Sequence, residues 1–414
     1  MNKTKVLTAF IGLCLSACSV TAAETPPIEY TRWLNTLKKE MAERGISQKT
    51  LDEAFAKNYY HPQHEVVKKD RNQTEFVLTT SGYLERVVAP LRVKQGQEKY
   101  KSLKQKYPHG ISGVPIEYLT AFWGIETNFG TNKGGFNAIE ALTVLSYDKR
   151  RPKFFREELY NALKIIDEGH IQVNTMESSW AGAMGHFQFM PSTFKAYALD
   201  ADGDGKINIW NNFDDAVKSA ANYLAKMGWK KDEPWGTPVN LSWNFDYSQT
   251  GRHHLKTVKE WQQLGADIKG INENIKGAII VPEGYRGQAY FICDNFHIIM
   301  KWNKSENYAL AVGLLADRVK KTQEQPKLQK NNFYRLTRDD IRTIQKFINQ
   351  QKIASIDADG YLGSQTKSAI QKLQQKFKLP ADGYPDYKLL KNISDFPQKG
   401  YYPSVPSRKL HRGK

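Results

Sequence analysis

Cysteine is scarce, and no hydrophobic run is long enough to matter to a bilayer. The 414 residues hold three cysteines, Cys14, Cys18 and Cys293, which excludes a disulfide scaffold and a cysteine-based zinc site. The main apolar run, Val6 to Ala17, is about a dozen residues against the roughly 20 that a spanning helix needs, so an integral membrane protein built on such a helix is excluded. Acidic residues are outnumbered, 43 Asp and Glu against 60 Lys and Arg, for a formal net charge of +17. Several chemical signatures are missing. There is no G-x-x-x-x-G-K-[ST], no G-x-G-x-x-G and no G-x-S-x-G, so phosphate cradles and the nucleophile elbow are excluded. No H-E-x-x-H occurs, and the adjacent His253 and His254 point apart on a helix or strand, which argues against zinc.

Aromatic residues are plentiful. Nine Trp, 21 Tyr and 19 Phe supply cores, so the bulk of the chain folds, as about two or three domains. Lys3 and Lys5 precede the short apolar run, and small residues close it, which makes a secretory signal. Its end, Leu15-Ser16-Ala17-Cys18, resembles a bacterial lipobox. That resemblance implies that Cys18 becomes the lipidated first residue of the mature chain and, with Ser19 after it, an outer-membrane lipoprotein. The alternative is an ordinary cut after Val20-Thr21-Ala22-Ala23 and a soluble periplasmic or secreted protein. Outside the cytoplasm a basic protein meets anionic envelope polymers and lipid head groups before nucleic acid, so no nucleic-acid partner is expected. The denser basic spots, Lys68-Lys69-Asp70-Arg71 and Lys149-Arg150-Arg151-Pro152-Lys153, read equally as solvated faces or as polyanion sites.

The clearest break runs from Lys320 to Asn332, KKTQEQPKLQKNN, and reads as a linker. The predicted organisation is a signal over 1–18, a tether over 19–29 and a body over 30–320. A linker over 321–332, a small unit over 333–393 and a basic tail over 394–414 follow. The body is mainly α with a minor β part. Tyr30, Trp33, Leu34, Leu37 and Met41 form one helical stripe, while Ile279-Ile280-Val281 and Tyr290-Phe291-Ile292 are among the few strand-like runs. The small unit carries an internal repeat. Ile341-x-x-Ile344-Gln345-x-x-Ile348 recurs as Ile370-x-x-Leu373-Gln374-x-x-Phe377, and Ala358-Asp359-Gly360-Tyr361 recurs as Ala381-Asp382-Gly383-Tyr384. Each copy is an amphipathic helix with an Asp-Gly turn. The unit resembles the three-helix peptidoglycan-binding domain, whose DG-x-x-G-x-x-T pattern falls on Asp359 to Thr366.

Three segments carry candidate chemistry. Ile116, Leu119, Trp123 and Glu126 lie 3, 4 and 3 apart, which puts Glu126 on the buried face of its helix, with Gly130 as the terminator. Burial raises a carboxyl pKa and so keeps a general acid protonated near neutrality. The competing reading is a helix-end Glu that swings into solvent or pairs with an Arg. The second segment, Ser178 to Pro191, alternates small residues with flat ones, which suits close approach to a sugar and stacking on it, or simply a tight Gly/Ala turn. The third, Asp200-Ala201-Asp202-Gly203-Asp204-Gly205-Lys206, fits the first half of a calcium loop. It has Asn211 where the closing Glu belongs, so Asp214 or Asp215 must close a longer loop.

Taken together and in order, Phe122-Trp123-Gly124-Ile125-Glu126-Thr127-Asn128-Phe129-Gly130, Ala181-Gly182-Ala183-Met184-Gly185-x-x-Gln188-Phe189-Met190-Pro191, the Asp-rich loop ending Ile209-Trp210, Ala221-Asn222-Tyr223-Leu224 and Asn295-Phe296 to Trp302-Asn303-x-Ser305 resemble the membrane-bound lytic murein transglycosylase B family, glycoside hydrolase family 103. The resemblance covers about residues 28–320. It implies a lysozyme-like α domain (α+β in class) that cuts MurNAc-β-1,4-GlcNAc bonds without water, and a small three-helix wall-binding domain. It puts Glu126 in the place of the catalytic acid/base, Ser179, Gln188, Tyr223 and Asn303 among substrate-binding residues, and structural Ca²⁺ on Asp200, Asp202, Asp204, the Lys206 carbonyl and Asp215. No organic cofactor is implied. The partners implied are peptidoglycan glycan strands, a membrane through the lipid anchor, and other cell-wall enzymes. The alternatives are a lysozyme-type muramidase, which needs a second carboxylate, and an inactive wall-binding scaffold.

Overall fold

The computed structural model describes residues 26–57, 59–60, 64–71, 79–321 and 336–396. The signal over 1–18 with Cys18, most of the 19–29 tether, all but the first residue of the 321–332 linker and most of the 394–414 tail lie outside the described residues. No helix among the described residues is long and apolar enough to cross a membrane.

Helices dominate. The helix Ile28–Glu43 buries Tyr30, Leu37 and Met41, the stripe its spacing predicts. At the centre lie two helices with little polar face. Ile116–Thr127 buries every residue from Ile116 to Gly124, and Glu306–Lys320 buries Tyr308 through Ala316. They pack on each other, with Pro90–Lys106, Thr80–Val87 and Asp294–Trp302 against the second. A helix apolar all round belongs in the middle of a core, and these two form the inner layer of the largest one.

Among the described residues, seven short strands make two antiparallel sheets. Strands β1 (Phe136–Asn137) and β2 (Glu177–Ser178) pair Phe136 with Ser178 and so fix where the loop after Ser178 starts. Strands β3 (Gly236–Leu241), β4 (Lys256–Thr257), β5 (Ala266–Asp267), β6 (Lys276–Ile280) and β7 (Ala289–Ile292) form the second sheet in the order β4-β6-β7-β3-β5. The two strand-like runs of the sequence are β6, whose ladder stops at Ile280, and β7. Strand β3 was not foreseen, because Pro238 argues against a strand. It is tolerated because β5 pairs only with Asn240 and Leu241, leaving the edge beside Pro238 open. The sheet has its own core around Val239, Trp261, Ile279 and Phe291, with Cys293 buried in it as a free thiol. Burial pushes that thiol up from its ordinary range.

The two basic spots pair through Asp70. Asp70 is 2% exposed and is held by Arg150 at 2.7 Å and by Arg151, so two stretches that read as polyanion sites lock onto each other instead.

The C-terminal unit is three helices, Arg338–Gln350, Ser364–Lys376 and Tyr387–Ser394, around a third core. Its repeat has a physical reason. The buried Gln345 donates from Nε2 to Asp359 Oδ1 and the Tyr361 carbonyl and accepts the Gly360 N–H, and Gln374 does the same with Asp382, Tyr384 and Gly383. In each copy, then, the glutamine on the helix pins the Asp-Gly turn.

Candidate active site

Glu126 stands in the last turn of Ile116–Thr127, half-buried where the helix leaves the core. The apolar spacing alone does not pick it out, since its helix is buried on every side. Its distinction is position. The helix ends at Asn128 rather than Gly130, with Asn128 in the left-handed region (φ 48°, ψ 53°) and Phe129 following at φ 59°. Gly130 (φ 82°) has a different task. A Cβ there would lie 2.6 Å from the His186 ring, so glycine permits the loop at 185–188 to close on the helix end.

That loop is bonded to the helix directly. Thr127 Oγ1 donates to the His186 carbonyl at 2.8 Å, and Trp123 Nε1 donates to His186 Nδ1 at 3.0 Å. An indole only donates, so the imidazole carries its proton on Nε2. Burial, with Lys133 adding to it, pushes His186 down to about 4, and the ring is neutral.

Tyr308, near the start of Glu306–Lys320, donates its phenolic O–H to Glu126 Oε1 in a short hydrogen bond. Sequence reasoning missed this residue. Its one signal is its place at the start of a helix capped by Ser305, directly after the Asn303-x-Ser305 motif.

Two elements that carry residues singled out from the sequence meet Glu126's helix, the 185–188 loop through His186 and the Asp294–Trp302 helix through Trp302. Gln188 (φ 51°) donates from Nε2 to the carbonyls of Lys133 at 3.0 Å and Gly185 at 3.1 Å. Both amide hydrogens are used, which fixes the amide and presents Oε1 as an acceptor. Ser179 Oγ accepts the N–H groups of Ala181 at 3.3 Å and Ala183 at 3.2 Å, so its hydroxyl proton is the capacity left to give. A fixed acceptor and a donor lie on one loop. Tyr223 is 9% exposed and donates to the Lys301 carbonyl at 2.9 Å, which makes it a wall more than an open face. Trp302 ties that wall to the helix, with ring centroids 5.0 Å from Tyr223, 5.4 Å from Phe189 and 4.7 Å from Phe122. Asn303 follows at the helix end, its side-chain amide without a hydrogen bond among the described residues.

The Asp-rich loop braces the same region. The His186 N–H donates to the Ile209 carbonyl at 3.1 Å, and Lys133 Nζ donates to the Trp210 carbonyl at 2.6 Å. Carboxylate oxygens of Asp200, Asp202 and Asp204 come within 4.8 Å of one another. Asp215, fully buried, accepts the N–H of Ala201 at 2.8 Å and of Asn208 at 2.7 Å, so it spans the loop's two ends. Burial pushes its carboxyl up, and the negative charges of Asp202 and Asp200 add to that. A hard cation relieves such crowding, and this all-oxygen set suits calcium. Asp214 turns away, taken by Lys106 and by Tyr107 at 2.9 Å.

Residues 29–317 match the family described as Transglycosylase SLT domain, and residues 337–393 match the putative peptidoglycan binding domain. Among solved structures, the chain is 37% identical to Pseudomonas aeruginosa SltB3 in complex with NAG-NAM-pentapeptide, with TM-score 0.81 over 88% of this chain and 99% of that one. The same relative is known in complex with NAG-anhNAM-pentapeptide. The Escherichia coli lytic transglycosylase SLT35 in complex with calcium is 26% identical, with TM-score 0.59 over 69% of this chain and 92% of that one. A curated relative, membrane-bound lytic murein transglycosylase B of Escherichia coli (strain K12), is 32% identical over 219 residues, 50% of this chain. The match spans only 58% of that relative's length.

Proposed function

The chain belongs to the Transglycosylase SLT domain family, and on that footing we propose that it is a peptidoglycan lytic transglycosylase, a lyase that cuts the MurNAc-β-1,4-GlcNAc bond and leaves 1,6-anhydro-MurNAc ends. The observation that carries this reading is the company Glu126 keeps. One group held against its carboxyl is the phenol of Tyr308, which donates a hydrogen bond to it. A carboxyl so held suits a single acid/base, whereas hydrolysis by the usual routes needs two carboxylates.

The chemistry then follows from one proton carrier. Oε1 accepts from Tyr308, and in this reading the transferable proton is carried by Oε2. Glu126 gives it to the glycosidic oxygen as the C1–O bond breaks and positive charge grows on the MurNAc C1. The carboxylate so formed takes the proton of the C6 hydroxyl of the same sugar, and O6 bonds to C1. Glu126 ends as it began, and no water is consumed. An internal nucleophile brings a high effective concentration with it, which replaces the positioned water of a hydrolase. Ser179 as donor, Gln188 as acceptor and Asn303 through its amide would hold the amide and hydroxyl groups of the sugars, against the wall of Tyr223 and Trp302. Asp200, Asp202, Asp204, the Lys206 carbonyl and Asp215 would hold Ca²⁺, which cross-links their loop and takes no part in the reaction.

The C-terminal unit would hold glycan, and Cys18 would anchor the enzyme by lipid at the periplasmic face of the outer membrane. Purified sacculi digested with the full-length protein test the reaction by mass spectrometry of the fragments. Anhydro ends are expected. Reducing ends would make the protein a muramidase, and no release would make it a scaffold.

A further inference from the structure

A contact between the two units lies within one helical turn of Tyr308, the residue that donates to the acid. Glu306 is the first residue of Glu306–Lys320, where an acidic side chain favours the helix start. Its Oε1 meets Arg252 Nε at 2.8 Å, and its Oε2 meets Lys367 Nζ of the C-terminal unit at 2.8 Å. The carboxylate is 22% exposed. Burial works against its charge, but Lys367 and then Arg252 outweigh that and hold its carboxyl below the ordinary range. Two residues further on, Tyr308 donates to Glu126. One turn of helix therefore carries both the inter-unit ion pair and the contact that orients the acid.

Neighbouring contacts converge there. Gln371 Nε2 donates to the Thr250 carbonyl at 3.0 Å, two residues before Arg252. Asp382 Oδ2 accepts the Tyr285 N–H at 2.8 Å, and Glu283 beside it accepts the N–H and hydroxyl of Ser81, each at 2.8 Å. Thr80, next to Ser81, donates to Asn307 Oδ1 at 2.7 Å, which returns to the same turn. The crevice between the units, lined by Arg252, His254, Glu306, Lys367 and Gln371, includes no residue already assigned to sugar binding.

We propose that the C-terminal unit is a positioning element of the catalytic centre as well as a wall anchor: Lys367 fixes Glu306, and through that helix start it holds Tyr308 against the Glu126 carboxyl. This rests on Glu126 as the acid. A unit that only tethers raises local substrate concentration and leaves the chemical step alone. A unit that positions alters the step itself, since small displacements of reacting groups lower rates steeply.

Soluble glycan strands too short to reach both units separate these cases. Full-length protein, Lys367→Ala, Lys367→Arg and the exposed control Lys388→Ala are compared for kcat, KM and melting temperature. Lys367→Ala is expected to lower kcat about three- to tenfold with KM within about twofold. Lys367→Arg should restore at least half of the loss, and Lys388→Ala should match wild type. A kcat for Lys367→Ala within twofold of wild type overturns the proposal. So does a loss that comes with a collapse in melting temperature and is not restored by Lys367→Arg, which marks a merely structural contact. Wild-type protein releasing no anhydro product from these strands would instead remove the reading of Glu126, a result distinct from either.

Discussion

At the scale of single residues, Glu126→Gln is expected to keep the fold and lose turnover, because an amide has the shape but no proton to give. The loss should reach about 10²–10⁴-fold or more, and sacculus clearing above a tenth of the wild-type rate would remove Glu126 from the reaction. His186 gives a second prediction, in stability. Its pKa is depressed from 6.5 to about 4, so between those values the unfolded chain binds a proton that the folded one refuses. That contribution is whole above pH 6.5, is lost as pH falls toward 4, and changes no further below it. His186→Gln keeps an acceptor for Trp123 and removes the titration, so its melting temperature should fall less steeply over that window. The difference in slope is capped at one proton, about 1.4 kcal/mol per pH unit. Identical slopes would show that His186 does not titrate differently on folding. Glu126 stood out as a candidate in the sequence because it sits in a run of motifs whose order is distinctive. Tyr308, its partner, did not, because 182 residues separate the two and local patterning says nothing about contacts at that range.

Elements were legible where one local rule dominates. The stripe of Ile28–Glu43 and the Asp-Gly turns of the C-terminal unit follow from spacing and turn chemistry. Strand β3 was hidden because a tertiary fact, the open edge beside Pro238, overrides the local rule against proline. The second basic cluster could not be interpreted locally either, since the partner of Arg150 and Arg151, Asp70 in the first cluster, lies about eighty residues away in the chain. The Asp-rich loop stood out as a calcium candidate from three spaced carboxylates, but that Asp214 is taken by Lys106 and Tyr107, which favours Asp215 in the proposed set, could not be read locally. Added Ca²⁺ should therefore raise the melting temperature of metal-free protein. A hundredfold excess over Kd stabilises by about 2.7 kcal/mol, a rise of a few degrees. Mg²⁺ should do less, because it prefers a tight octahedron with retained water. An unchanged melting curve with and without chelator would make the loop an ordinary hydrated turn.

For the whole molecule, the order of units could be read from the linker and the repeat, but the contact between them could not, because it is made by side chains from distant stretches. Cys18→Ala bears on where that assembly works. Two or three acyl chains hold a protein on a membrane where one does not, so the variant should leave the membrane fraction, as active soluble protein or as retained precursor. Partition into detergent identical to wild type would rule the anchor out. The contact between Tyr308 and Glu126 has one more consequence, which concerns time. If the chain is exported from its N-terminus, as the proposed signal implies, Glu126 would cross the membrane well before Tyr308. The inner layer around it cannot close until Glu306–Lys320 has arrived to pack on Ile116–Thr127. A wall-cutting enzyme exported in that order, as proposed, would emerge blunt, and its edge would form only when the last part of the body is through.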